Sequence, residues 1–78
     1  MAVEETVREV LKTVLDVQPD EIQADAKLEE SLEVDSTEMV EISVGIKKAL
    51  NVELADNELK KSHSFNEIVN ILKSKGAN

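Results

Sequence analysis

Val34-Asp35-Ser36-Thr37-Glu38-Met39 marks the point where an acid-rich stretch gives way to an amphipathic one. Asp35 is a favourable N-cap, Glu38 three residues later completes a capping-box pattern, and Ser36 then falls in the first helical turn. A helix start collects unpaired backbone N–H groups and the positive end of the macrodipole, so a phosphoryl group carried on the Ser36 hydroxyl would be stabilised there. Capping alone also accounts for the pattern, with Ser36 an ordinary first-turn residue.

Beyond Ser36, the residues Met39, Ile42, Ile46, Ala49 and Leu50 recur at helical spacing, which predicts a helix over 36–50 that Asn51 can terminate. The opposite side of the same helix carries Ser36, Val40 and Val44 at i, i+4 and i+8, with Glu41 beside them, and reads as an exposed docking strip. Gly45 costs the helix about 1 kcal/mol against alanine. It suits close helix packing, room for a guest chain, or neither.

Outward from this helix, Val3, Val7, Val10, Leu11, Val14 and Leu15 form an apolar stripe with Glu4, Glu5, Arg8, Glu9 and Lys12 between them, predicting a first helix over 3–16. Pro19 disfavours helical geometry at Gln18 and ends it. The connection from Asp20 to Asp35 is too long for an idle turn, and Ile22, Ala26, Leu28 and Leu32 can pin it to a core. Residues 55–61 read as a short third helix that needs tertiary support. Ser64-Phe65-Asn66-Glu67 is a full capping box before Ile68, Val69, Ile71 and Leu72, and Gly76 closes a fourth helix over 64–75. The expected fold is all-α: a small four-helix bundle, one domain over 1–78, with a long loop between helices 1 and 2 and a short third helix.

Composition narrows function. The chain has 78 residues and a formal charge of −8, and Phe65 is its only Phe, Trp or Tyr, so neither phosphate attraction nor base stacking is provided and nucleic acid is not an expected partner. Residues 1–35 hold eleven acids against Arg8, Lys12 and Lys27, whereas 36–78 balance, so long-range attraction for cationic surfaces comes from the front half. Cysteine is absent and His63 is alone, which removes disulfides and thiolate or histidine metal sites. His63 reads as a loop residue. Asp16, Asp20 and Asp25 lack the ligand alternation and glycine of a calcium loop. Glu30, Asp35 and Glu38 offer at most a weak attraction for a divalent cation, and simple solvation serves them as well. No apolar run approaches the ~20 residues that span a bilayer and the N-terminus lacks signal-peptide character, so no membrane insertion and a cytoplasmic location are expected. No nucleophile–base pair stands out, so the chain is not expected to be an enzyme.

Asp35-Ser36, the acidic helix opening Glu38-Met39-Val40-Glu41 and the later Leu54-Ala55-Asp56-Asn57-Glu58-Leu59 together resemble an acyl carrier protein, over about Val3 to Leu72. The resemblance implies a non-catalytic shuttle, expected as a monomer, whose Ser36 receives 4'-phosphopantetheine from coenzyme A by a phosphopantetheinyl transferase, Asp35 belonging to that attachment site. It implies acyl ligases or synthases as further partners, docking on Thr37, Glu38, Val40, Glu41, Val44, Lys47 and Lys48, and an acyl chain that folds back among Met39, Ile42, Ile46, Leu54, Leu59, Ile68 and Ile71. Each of those seven is equally an ordinary core residue. Departures from the family pattern are Glu33 where glycine is usual, Thr37 where leucine is usual, and Lys47 and Lys48 where acids are usual. Glu33 is expected to reshape the loop before Ser36, and the two lysines to change partner choice or simply to complement the helix dipole. An aminoacyl (D-alanyl), polyketide or peptidyl carrier, and a cofactor-free helical interaction module, remain open.

Overall fold

The computed structural model describes residues 3–55 and 57–77. Among these residues the architecture is all-α, with four α-helices: α1 Val3–Leu15, α2 Leu28–Ser31, α3 Ser36–Leu50 and α4 Phe65–Ser74. A short 3-10 turn, Pro19–Glu21, follows α1. The three long helices stand where the apolar spacing places them. Helix α1 ends at Leu15, because Asp16 swings into the left-handed region at φ 55; its N–H still donates to Lys12 O at 2.8 Å.

The short helix lies in a different part of the chain from the one expected. Residues 55–61, read as a third helix, hold no helix among the described residues: turns and a bend follow Asp56, which itself lies outside them. Leu54 and Leu59 are both buried, at 9 % and 3 % exposure. Five residues apart, they would point about 140° away from each other on an α-helix, so the segment abandons helical geometry to bury both. A tight turn there is closed reciprocally: Glu58 N–H donates to Ala55 O at 3.1 Å and Ala55 N–H to Glu58 Oε1 at 2.8 Å. Lys75, past the end of α4, then grips Glu58 at 2.6 Å, and this ammonium, followed by the Ala55 N–H, holds the Glu58 carboxyl below its ordinary 4.5. The fourth helix is instead α2, inside the long connection.

Helix α1 packs chiefly on α3 and next on α4. Val3, Val7 and Leu11 of α1, Met39, Ile42 and Ile46 of α3, and Phe65, Ile68, Val69 and Leu72 of α4 form one core with Leu28, Val34, Leu54 and Leu59. Ala49, read as part of the α3 stripe, is exposed, and Leu50 only half-buried. Leu28 and Val34 pin the connection most firmly, with Ile22, Ala24 and Leu32 packed against them; Ala24, not Ala26, is the alanine that reaches the core. Gly45 lets α1 and α3 approach, since a Cβ there would sit 3.0 Å from Val10 Cγ1. Arg8 lies over the Phe65 ring, 5.0 Å from its centroid, shielding the aromatic edge of the core.

Candidate functional site

The site is built at the α2–α3 junction. Glu33 takes φ 55, the left-handed conformation that glycine favours. This reversal drops Val34 into the core at 3 % exposure and leaves Asp35 extended (φ −98, ψ 178) as the N-cap of α3. The capping box then forms in full: Asp35 Oδ1 accepts from Glu38 N–H at 2.8 Å, and Asp35 N–H donates to Glu38 Oε1 at 3.1 Å. Asp35 and Glu38 are thereby committed to the helix start. Among the described residues no three His, Asp or Glu side chains are placed to share a metal ion, Glu30, Asp35 and Glu38 included.

Ser36, the first residue of α3, is exposed, and among the described residues no hydrogen bond holds its hydroxyl. It opens onto a groove of about 360 Å³, lined by the apolar Met39, Val40 and Leu59 and by a polar wall of Glu29, Asn57, Lys60, Lys61 and Ser62. The 57–62 part of that wall is fixed to α2 through its backbone: Glu29 N–H donates to Lys61 O at 3.0 Å and Leu28 N–H to His63 O at 3.1 Å. His63 also closes the wall's own turn, its Nδ1 accepting from Lys60 N–H at 3.0 Å, so the lone histidine has a structural task.

The strip along α3 is exposed. Val40 is 59 % and Val44 44 % accessible, the large hydrophobic side chains left open among the described residues. Thr37, Glu41, Lys47 and Lys48 are exposed around them, while Glu38 is half-buried by the cap. A second hollow of about 270 Å³ continues the groove along the same side, bordered by Val40, Ser43, Val44, Lys47, Leu54 and Ala55. Of the seven residues expected around an acyl chain, Met39 and Leu59 border the first hollow and Leu54 the second. Ile42, Ile46 and Ile68 are sealed in the core, and Ile71 is half-buried and lines neither hollow. The residues that sequence reasoning missed are Glu29, Asn57, Lys60, Lys61 and Ser62, which join Ser36 at the groove only through tertiary folding.

An exposed alcohol at a capped helix start, beside an apolar groove whose rim carries two lysines and Glu29, is chemically compatible with an attached phosphodiester followed by a flexible, partly apolar arm. Comparison with known proteins identifies the cofactor class. Residues 5–72 match the family model described as a phosphopantetheine attachment site. The chain is 34 % identical to an acyl carrier protein of Campylobacter concisus, over 97 % of this chain and 99 % of the relative. It is 32 % identical to one of Petrotoga mobilis over 91 % and 84 %, and 34 % identical to one of Akkermansia muciniphila over 87 % and 85 %. The chain belongs to the family of phosphopantetheine-attachment domains.

Proposed function

We propose that Ser36 Oγ is the atom that carries 4'-phosphopantetheine and that the exposed side of α3 is the face on which loading and processing enzymes dock. The protein is a non-catalytic acyl carrier, like the relatives it matches. When bound, the prosthetic group supplies a terminal thiol that holds an acyl group as a thioester, a function the cysteine-free chain cannot provide. Each residue of the chain has a simpler part. Asp35 and Glu38 fix the start of α3 and hold Ser36 outward, α3 offers its dipole to the phosphate, and the fused core keeps that helix rigid while the arm moves. The observation that carries this reading is the free Ser36 hydroxyl at the capped helix start, open to the groove.

Val40 and Val44 supply the apolar contact of the docking face and Thr37, Glu38 and Glu41 its polar, acidic end, suited to Arg and Lys on a transferase or synthase. Lys47 and Lys48 reverse the sign at the other end. A partner that matches the whole face therefore sets basic residues near Ser36 and acidic ones about 17 Å farther along, the rise of eleven helical residues. This favours a dedicated enzyme set, with fatty-acid processing the leading use. No helix of the described residues is long and apolar enough to cross a membrane, and the net charge of −8 discourages self-association, which supports a monomer acting in the cytoplasm.

The test is intact mass after incubation with coenzyme A and a broad-specificity phosphopantetheinyl transferase. The chain gains one phosphopantetheinyl group and Ser36→Ala gains none. A parent chain that stays unmodified, or a Ser36→Ala chain that is still modified, removes the assignment. Binding of Lys47→Glu/Lys48→Glu to a fatty-acid synthase partner at low salt tests the docking polarity: unchanged affinity refutes it.

A further inference from the structure

Lys60 and Lys61 line the same hollow as Ser36, as does the acidic Glu29, and neither lysine forms an ion pair among the described residues. Their backbone is anchored: Lys61 O accepts from Glu29 N–H, Lys60 N–H is bonded to His63 Nδ1, and Lys60 O accepts from His63 N–H at 3.0 Å. They are thus carried on a fixed wall. The remaining charges close to Ser36 in sequence, Glu33, Asp35, Glu38 and Glu41, are acidic. Of the orphan N–H groups at the start of α3, that of Glu38 is already taken by Asp35. A phosphodiester on Ser36 adds one more negative charge to this acidic corner, and only part of the helix start is left to offset it.

We infer that Lys60 and Lys61 bind the phosphate of the arm on Ser36 and turn the arm's first segment into the groove, over Met39, Val40 and Leu59. Apolar floor and polar wall then match the arm's alternation of methyl-bearing carbon and amide, with Asn57 and Ser62 offering hydrogen-bond partners. The inference rests on attachment at Ser36. Its consequence is a parked state: the arm is held along the carrier at low ionic strength and released when a partner's own cations, or salt, compete for the phosphate.

The test compares lysine reactivity before and after modification. Apo protein and protein converted with coenzyme A and the transferase, checked by intact mass, are acetylated briefly with an activated acetate ester, and each lysine is quantified by peptide mass spectrometry. A neighbouring anion raises a lysine's proton affinity and covers its amine, so Lys60 and Lys61 react about threefold more slowly in the modified form, a factor expected for one charge a few ångströms away in a largely aqueous setting. Lys12, on α1, keeps its rate. If no mass is gained, the Ser36 assignment falls and this inference with it. If Ser36 is modified but Lys60 and Lys61 react as before, only this inference falls. Independently, Lys60→Gln/Lys61→Gln shifts the phosphorus NMR resonance of the modified protein and abolishes its salt dependence, while the melting point of the apo form is unchanged. A phosphorus resonance indifferent to both substitution and salt overturns the parked state. Should the double variant fold poorly, the acetylation rates in the parent still decide.

Discussion

Replacing Glu33 with glycine should make the protein more stable, although it deletes an entire side chain. Glu33 is exposed and holds φ 55. A residue with a Cβ is disfavoured in that region by about 1–2 kcal/mol. Glycine escapes the clash but loses about 0.5–1 kcal/mol more backbone entropy on folding. The difference is a net gain of about 0.5–1 kcal/mol. For a chain of 78 residues, this raises the melting temperature by about 3–6 °C, taking ~2.1 cal/mol/K of unfolding entropy per residue. Glu33→Ala keeps the Cβ in the left-handed region and removes the charge, and Glu33→Gln removes only the charge, so each isolates a competing explanation. Thermal melts by circular dichroism, with urea unfolding to check that the slope is constant, should rank glycine above alanine and glutamine. The Ser36 modification rate should persist, since the turn geometry that seats Val34 and Asp35 is retained. If glycine is no more stable than alanine, the left-handed turn at residue 33 is not a reservoir of strain and the account of the loop is wrong.

Gly45→Ala tests the α1–α3 approach: the gain of about 1 kcal/mol in helix propensity should be cancelled by the contact with Val10 Cγ1 at 3.0 Å, leaving the melting point level or lowered. In a Val10→Ala background the same substitution should stabilise; equal effects in both backgrounds would show that the helices do not meet there. The ion pair of Glu58 with Lys75 gives a pH dependence. Because the folded carboxyl is held below its ordinary 4.5, its stabilisation is present above that value and drains away as pH falls through the lower, folded one. The melting-temperature gap between the parent and Glu58→Gln should therefore be steady at neutral pH and close below about pH 4.5. A gap of constant size down to full protonation would deny the pair any part in holding residues 55–61.

Where a signal is local, the sequence was enough to read it. The two capping boxes, Asp35 with Glu38 and Ser64 with Glu67, close as their spacing requires, and Ser36, Val40 and Val44 share an exposed side because a single helix sets their geometry. The short helix was misplaced for a definite reason. Residues 55–61 have helix-forming composition, but burying Leu54 and Leu59 together outweighs a propensity worth only tenths of a kcal/mol per residue. Residues 28–31 form a single turn, too brief to give a periodic pattern, and show only the pins Leu28 and Leu32.

The polar wall of the groove was invisible for another reason. Lys60 and Lys61 are held at the hollow that Ser36 also lines by the bonds of Glu29 N–H and Leu28 N–H to the carbonyls of Lys61 and His63, and backbone donors look alike at every position. The consequence for the carrier is physical. On the reading proposed above, attachment and docking share one helix whose character can be read from its spacing, while the resting place of the arm is set by a loop that pairs with it only in the folded state. Substitutions at residues 57–62 are then expected to retune the parked arm without disturbing either the serine or the proposed docking face. Under that proposal, arm release can change while recognition stays constant.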